Sequence, residues 1–289
     1  MIAPRNKQNV EIGDYGEYEP AWCPGCGNFA ILKSVKRALV ESNLAPHEVL
    51  FVSGIGQAAK APHYLNTNLF NGLHGRALPV ATGARLVNRE LKVIVESGDG
   101  CMYGEGGNHF LAAIRRNIKI VVLVHDNQVY GLTKGQASPT SLEGFVTKAQ
   151  PHGTYSAPFN PAAVAVAMNA GFVARAFSGN EDHLVATIKR AITHEGLALV
   201  DILQPCVSFN KVNTYKWYKD RCRVLPDDYN PSDWTAAMST AMKMDPEIPI
   251  GVIYENKRPA FESHFPVTVG IPSTERSPEF LRELLEHYT

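Results

Sequence analysis

Two apolar, β-branched runs, at residues 91–95 and 118–124, flank a glycine-rich segment, and this arrangement constrains the fold more than any other feature of the chain. The first run ends in Gly98, Asp99 and Gly100. A glycine pair, Gly106 and Gly107, then opens a predicted helix over 108–116, and the second run ends in His125, Asp126 and Asn127. Apolar runs without polar alternation are covered on both faces, as strands of a parallel sheet are. Joined through a helix they form a βαβ unit, which carries both strand ends to one carboxyl edge. Open α/β sheets bind their ligands at that edge.

Residue types at the edge suggest a chemistry. Asp99 offers a hard carboxylate oxygen and Asn127 an amide oxygen, and the tight spacing after Asn127 adds the Val129 carbonyl as a third. Mg²⁺ is usually held by one or two protein oxygens while ligand phosphates and water complete its octahedron. Gly98 and Gly100 let backbone N–H groups approach such phosphates, helped by the start of the next helix. Each motif alone has an ordinary reading, since Gly-Asp-Gly makes turns and Asn commonly follows a strand. The pair, each member closing a buried strand, favours a ligand.

Two other segments carry candidate chemistry. Cys23-Pro24-Gly25-Cys26 places paired sulfurs on a tight turn before a predicted helix over 29–41. Such a turn lets two thiolates converge on a cluster or on zinc, or leaves a plain structural or redox pair. His74, Gly75 and Arg76 precede a small-residue helix expected over 81–87, an arrangement able to hold an anionic diphosphate. A helix start with a surface Arg and a capped His fits the spacing equally well.

The Gly-Asp-Gly…Asn pair, continued by Tyr130, Gly131, Leu132, Thr133, Lys134, Gly135 and Gln136, resembles the diphosphate–Mg²⁺ motif of thiamine-diphosphate enzymes. Among these, the chain is similar to β subunits of 2-oxoacid:ferredoxin oxidoreductases, nearest the 2-oxoglutarate type. The resemblance extends over about residues 15–260, through CPGCG, LHGRALPVATG, GDG…DNQ and YGLTKGQ. It implies that His74, Gly75, Arg76 and the segment from Tyr130 to Thr133 bind thiamine diphosphate together with Gly98, Asp99, Gly100 and Asn127. It also implies a [4Fe–4S] cluster on Cys23, Cys26 and Cys206, with Gln57 where the family shows a cysteine after Gly-Ile-Gly. An amide is a poor cluster ligand. Cys101 and Cys222 fall outside the implied ligand positions and read as structural.

The implied activity is oxidative decarboxylation of a 2-oxoacid, most of all 2-oxoglutarate, to an acyl-CoA, with electrons passed through the cluster to ferredoxin. The implied partner is an α subunit in an α₂β₂ assembly, which supplies the activating carboxylate and much of the coenzyme A site. No catalytic residue is therefore assigned on this chain. A non-oxidative thiamine-diphosphate decarboxylase without the cluster, or a non-catalytic zinc- or cluster-binding electron carrier, are the alternatives.

The expected fold is α/β: an open, mostly parallel sheet with helices on both faces, the thiamine-diphosphate-binding fold. An arm over 1–20 precedes the main domain at 21–210. An irregular C-terminal extension over 211–289 follows, with helices near 234–242 and 277–287. Lys+Arg and Asp+Glu are both 28, so no basic excess points to nucleic acid or an anionic membrane. No apolar run is long enough to span a bilayer and the polar start is no secretory signal, so the expected location is the cytoplasm. In that compartment the five cysteines are expected to be reduced thiols or metal ligands.

Overall fold

The structure is a computed structural model and describes residues 9–265 together with Arg282 and Glu286. In chain order the elements are α1 (Gly27–Glu41), β1 (Val49–Ser53), β2 (Asn68–Asn71), α2 (Ala77–Val87), β3 (Lys92–Gly98), α3 (Gly107–Arg116), β4 (Val121–Asp126), β5 (Val129–Tyr130), β6 (Gln136–Ala137), α4 (Pro161–Ala167), β7 (Phe172–Phe177), α5 (Glu181–Thr193), β8 (Ala198–Leu203), α6 (Tyr215–Arg221), β9 (Cys222–Val224), α7 (Trp234–Met242) and β10 (Ile248–Glu255). Among the described residues one sheet runs β2-β1-β3-β4-β8-β7-β10-β9, and β5 and β6 form a separate hairpin. From β2 to β7 every pairing is parallel. Only β10 runs antiparallel to its neighbour β7.

Strand alternation divides the core into two layers. Val93, Val95, Val122, Val124 and Leu199 face the layer that includes α2, α3, α4 and α7. Ile94, Val121, Leu123, Val200 and Ile202 face α1 and α5. Helices therefore cover both faces, and the expected α/β architecture holds. The period of two also settles where each polar residue at a strand end points. Glu96 and His125 share the side of α1, whereas Asp126, Asp201 and Arg175 lie on the other.

Several elements differ from expectation. Pairing in β4 begins at Val121, because the chain turns at Ile118, where the Ile120 N–H donates to the Ile118 carbonyl. Ile118 and Ile120 are both buried, and Ile120 touches the ladder only through its carbonyl, which accepts from the Ala198 N–H at 3.0 Å. Helix α2 starts at Ala77, four residues before expectation, with Pro79 in a first turn whose N–H groups need no intrahelical acceptor. The extension is less irregular than its composition suggests. It supplies α6 and two sheet strands, β9 and β10, the latter disguised in sequence by Pro249 and Gly251. Helix α7 forms at 234–242 as expected, while the helix expected over 277–287 lies outside the described residues apart from Arg282 and Glu286. Within the arm, residues 12–15 form a 3₁₀ turn that folds onto the domain. Tyr15 is fully buried there, and its hydroxyl donates to the Leu44 carbonyl at 2.6 Å.

Candidate active site

Strands β3 and β4 are adjacent, with Gly98 opposite His125, so Asp99 and Asn127 emerge side by side at the carboxyl edge. Asp99 opens a π-helical segment, Gly100–Glu105, that precedes α3. Such turns are rare and are frequent at functional sites. The turn runs close against its surroundings. A Cβ at Gly100 would lie 2.4 Å from the Tyr130 ring, and one at Gly75, where φ is +72°, would lie 2.4 Å from the Glu105 carbonyl carbon. Only glycine fits either place.

Asp99 is almost wholly buried, and its Oδ2 accepts from the Thr140 hydroxyl at 2.8 Å. The same hydroxyl lies 2.7 Å from Asp126 Oδ1. One hydroxyl hydrogen serves one carboxylate at a time, so the second contact needs a proton on an acid. Burial, then the nearby Asp201 and Asp99, push the Asp126 carboxyl well above the usual range. Burial also raises Asp99, against hydrogen bonds from Ser138, Thr140 and the backbone N–H groups of Asn127 and Gly100. Asp201 accepts from the Tyr103 hydroxyl at 2.8 Å and is pushed up to about 6 by burial, against the pull of Arg175. Arg175 is fully buried and donates from Nη2 to the Ala241 carbonyl at 3.0 Å.

A cavity opens over this network. Gly98, Asp99, Gly100, Asn127, Val129 and the segment from Tyr130 to Thr133 line one side, with His74 opposite. Gly75 and Arg76 support the wall rather than line it, and Arg76 donates from Nη1 to the Glu105 carbonyl at 3.3 Å. Asn127 Oδ1 accepts from the Val129 N–H at 3.0 Å, which fixes the amide at the cavity floor with a lone pair to spare. His74 Nδ1 stands 3.3 Å from Glu105 Oε2 without hydrogen-bond alignment, and the Tyr130 hydroxyl donates to the same oxygen at 3.3 Å. Thr133 and Leu132 form the exposed lip, and Lys134 lies outside the lining.

The sequence pattern does not place Ile55, Gly56, Gln57, Ala58 or Cys101 on this cavity, yet all five line it. Cys101 is buried with its Sγ accepting from the N–H groups of Gly75 at 3.1 Å and Ile55 at 3.4 Å, which joins three segments behind the site. On the far side of the sheet His125 contacts Glu96 at 2.9 Å through Nε2 and Asn28 at 2.8 Å through Nδ1, all fully or almost fully buried. That network ties the start of α1 to the ends of β3 and β4.

The cysteine turn lies at the start of α1. Cys23 is exposed, Cys26 and Cys206 half-buried, and Cys26 Sγ accepts from the Gln204 amide at 3.3 Å. Burial, and to a lesser extent the neighbouring Cys206 and Cys23, push the Cys26 thiol up to about 11. No three His, Cys, Asp or Glu side chains among the described residues stand at metal-ligand spacing. Gln57 adjoins this corner, its carbonyl accepting from the Trp22 indole N–H at 2.9 Å.

The donor set fits the diphosphate end of a thiamine cofactor. Hard oxygens from adjacent strand ends suit a divalent cation, and backbone crowded against glycines suits phosphate oxygens.

Residues 51–202 match the thiamine pyrophosphate enzyme, C-terminal TPP binding domain, and residues 206–269 match the C-terminal family of the pyruvate ferredoxin oxidoreductase beta subunit. The chain is 46% identical over 246 residues to the 2-oxoacid:ferredoxin oxidoreductase 1, subunit beta, of Aeropyrum pernix, covering 81% of this chain and 77% of that one. It is 45% identical over 194 residues to the 2-oxoglutarate oxidoreductase subunit KorB of Mycobacterium tuberculosis, covering 67% and 52%. A solved structure of 2-oxoglutarate:ferredoxin oxidoreductase from Magnetococcus marinus, with 2-oxoglutarate, coenzyme A and succinyl-CoA bound, superposes with a TM-score of 0.87. The identity there is 34%, over 97% of this chain and 91% of that one.

Proposed function

The chain belongs to the β-subunit family of the 2-oxoacid:ferredoxin oxidoreductases, and from that premise we propose that it binds thiamine diphosphate with Mg²⁺ for the oxidative decarboxylation of 2-oxoglutarate. The overall reaction consumes 2-oxoglutarate and coenzyme A and yields succinyl-CoA, CO₂ and a proton, with two electrons delivered singly to ferredoxin. Support for this substrate comes from the 2-oxoglutarate enzymes among its relatives. Thiamine diphosphate, when bound, supplies the electron sink that decarboxylation of a 2-oxoacid requires.

The chain's own residues bind and orient. Asp99, Asn127 and the Val129 carbonyl offer oxygens to Mg²⁺, and the glycine-bounded turn at 98–100 presents backbone N–H groups to phosphate. His74 and the Tyr130–Thr133 segment close the cavity around the cofactor. Cys23, Cys26 and Cys206 are the thiolates that would hold a [4Fe–4S] cluster, which would supply one-electron transfer. The domain organisation that goes with this reading is an arm over 1–20, a cofactor domain over 21–210 and an extension over 211–289. No described helix is long and apolar enough to cross a membrane, and the site of action proposed is the cytoplasm.

One observation carries the reading: Asp99 and Asn127 stand at adjacent strand ends on a single cavity. Asp99→Ala is expected to abolish retention of Mg²⁺ and thiamine diphosphate, because the diphosphate charges lose their bridging cation. Near-native cofactor affinity in that variant, measured by titration calorimetry, refutes the assignment. Gln57, standing in for a cysteine, favours a second reading as a cluster-free decarboxylase that releases an aldehyde. Iron and sulfide at about zero in anaerobically purified protein, with aldehyde as the product, would select it.

A further inference from the structure

The two halves of the proposed cation site lie on different strand ends, yet one short turn holds both. It spans residues 138–141, directly after the β5–β6 hairpin, and it closes on itself. The Ser141 N–H donates to the Ser138 carbonyl at 3.1 Å, and the Ser138 N–H donates to the Ser141 hydroxyl oxygen at 2.9 Å. Ser138, Thr140 and Ser141 are all buried. From this turn the Thr140 hydroxyl reaches Asp99 Oδ2, at the end of β3, at 2.8 Å. Its neighbour, the Ser141 hydroxyl, donates to the Gln128 carbonyl at 2.5 Å, just beyond the end of β4. Gln128 stands between Asn127 and Val129, and its φ of +60° is a left-handed conformation that non-glycine residues seldom adopt. Such a conformation persists where the surroundings restrain it, and Ser141 supplies one restraint. With Gln128 so held, Asn127 Oδ1 accepts from the Val129 N–H at 3.0 Å.

Two adjacent hydroxyls therefore restrain the Asp99 carboxylate and the backbone that carries Asn127 and Val129. What that rigidity achieves depends on the cation. Mg²⁺ demands a near-ideal octahedron of oxygens at short distances, whereas Ca²⁺ accepts more oxygens, further away, in a flexible arrangement. A ligand that drifts by a few tenths of an ångström costs Mg²⁺ much and Ca²⁺ little. Resting on the reading of Asp99, Asn127 and the Val129 carbonyl as the Mg²⁺ site, we propose that Thr140 and Ser141 are positioning residues that set its selectivity for Mg²⁺ over Ca²⁺. Each acts through a ligand rather than on the cation itself: Thr140 through Asp99, and Ser141 through the Asn127–Val129 backbone.

The test uses the full-length chain co-purified with its α subunit, stripped of divalent cations with EDTA and returned to EDTA-free buffer. Thiamine diphosphate is titrated by calorimetry with Mg²⁺ or Ca²⁺ as the only divalent cation, in wild type, Thr140→Val, Thr140→Ser and Ser141→Ala. Thr140→Val and Ser141→Ala should each weaken Mg²⁺-supported binding by about tenfold, the worth of one hydrogen bond, and Ca²⁺-supported binding by less than about threefold. Thr140→Ser keeps the hydroxyl and should match wild type with both cations. An equal loss with the two cations in either variant would leave the turn a structural role only and overturn the proposal. Unchanged Mg²⁺-supported binding in either variant, or a Thr140→Ser no better than Thr140→Val, would overturn it as well. Should Thr140→Val fail to fold, the milder Ser141→Ala carries the same comparison of cations. Wild type that binds no thiamine diphosphate, or binds it equally well without either cation, refutes the Mg²⁺ reading itself and this inference with it.

Discussion

Lowering the pH is expected to relieve, not aggravate, one part of this fold, and Asp201→Asn isolates the effect. Asp201 lies wholly buried in β8 beside Tyr103 and Arg175, and burial lifts its carboxyl from an ordinary 3.8 to about 6. A folded value above the unfolded one means that the favourable contribution is complete below 3.8 and is lost as pH rises through about 6. Each pH unit in that interval is worth about 1.4 kcal/mol, so the loss by neutral pH is about 3 kcal/mol. Asn is close in shape, still accepts from the Tyr103 hydroxyl, and does not titrate. Its loss of attraction for Arg175 adds an offset, and the loss of the Asp201 charge also eases the ionisation of Asp126, which that charge opposes. Urea unfolding of both proteins in EDTA, at pH 4, 5, 6 and 7, should show the variant gaining on wild type by about 2.4 kcal/mol over this range. A difference that is flat, or that moves the other way, refutes the claim that the carboxylate is held at a cost.

Two further substitutions probe the same corner. Thr140→Val removes the hydroxyl between Asp99 and Asp126 without changing side-chain shape, and should cost about 3 kcal/mol, seen in calorimetry as a lower Tm; an unchanged Tm would mean that the hydroxyl does not bridge the acids. Gly75→Ala sets a Cβ at positive φ against the backbone of Glu105 and should destabilise by more than about 2 kcal/mol; a neutral effect in thermal unfolding would contradict the close approach of these two segments.

Residues that end strands are legible in the sequence, because glycine, Asp and Asn after an apolar run have few alternative uses. This is why Asp99 and Asn127 come together at adjacent strand ends. The buried charges beneath them are harder to read, although the sequence carries a signal for them. Asp201 in ALVDIL, Arg175 in FVARAF and Glu96 in KVIVESG each interrupt a run that is otherwise buried. A charge in such a place has to find a partner or a proton. Thr140 carries no comparable signal. It lies in a loop rich in Ser, Thr and Pro, and only the folding of that loop over the sheet edge brings its hydroxyl between two acids. Strand β10 escapes the sequence pattern for another reason: Pro249 and Gly251 break its run, and Pro is tolerated there because the pairing with β7 begins only at Gly251, which leaves Pro249 opposite β9 alone.

The cavity also bears on the proposed partner. Among the described residues that line it Asp99 is the sole carboxylate, and it is committed to Thr140 and to the proposed cation. Glu105 stands outside the lining, occupied by Tyr130. On the proposed reading, the carboxylate that activates the cofactor is the contribution expected of the α subunit. The wall near His74 has the surface for it: all four residues of β2 are exposed, Leu69 by 41% and Phe70 by 50%, and Leu73 is 74% exposed one residue before His74. An apolar sheet edge of this kind is a liability unless covered. The chain alone should therefore show no 2-oxoglutarate-dependent dye reduction, and co-expression with its α subunit should restore it. Leu73→Asp should reduce co-purification of that subunit, and activity with it, while leaving thermal unfolding of the β chain within about 0.5 kcal/mol of wild type, as exposed substitutions usually do. Full activity from the chain alone would remove the need for a second carboxylate, and undiminished co-purification of Leu73→Asp would move the contact away from the β2 edge.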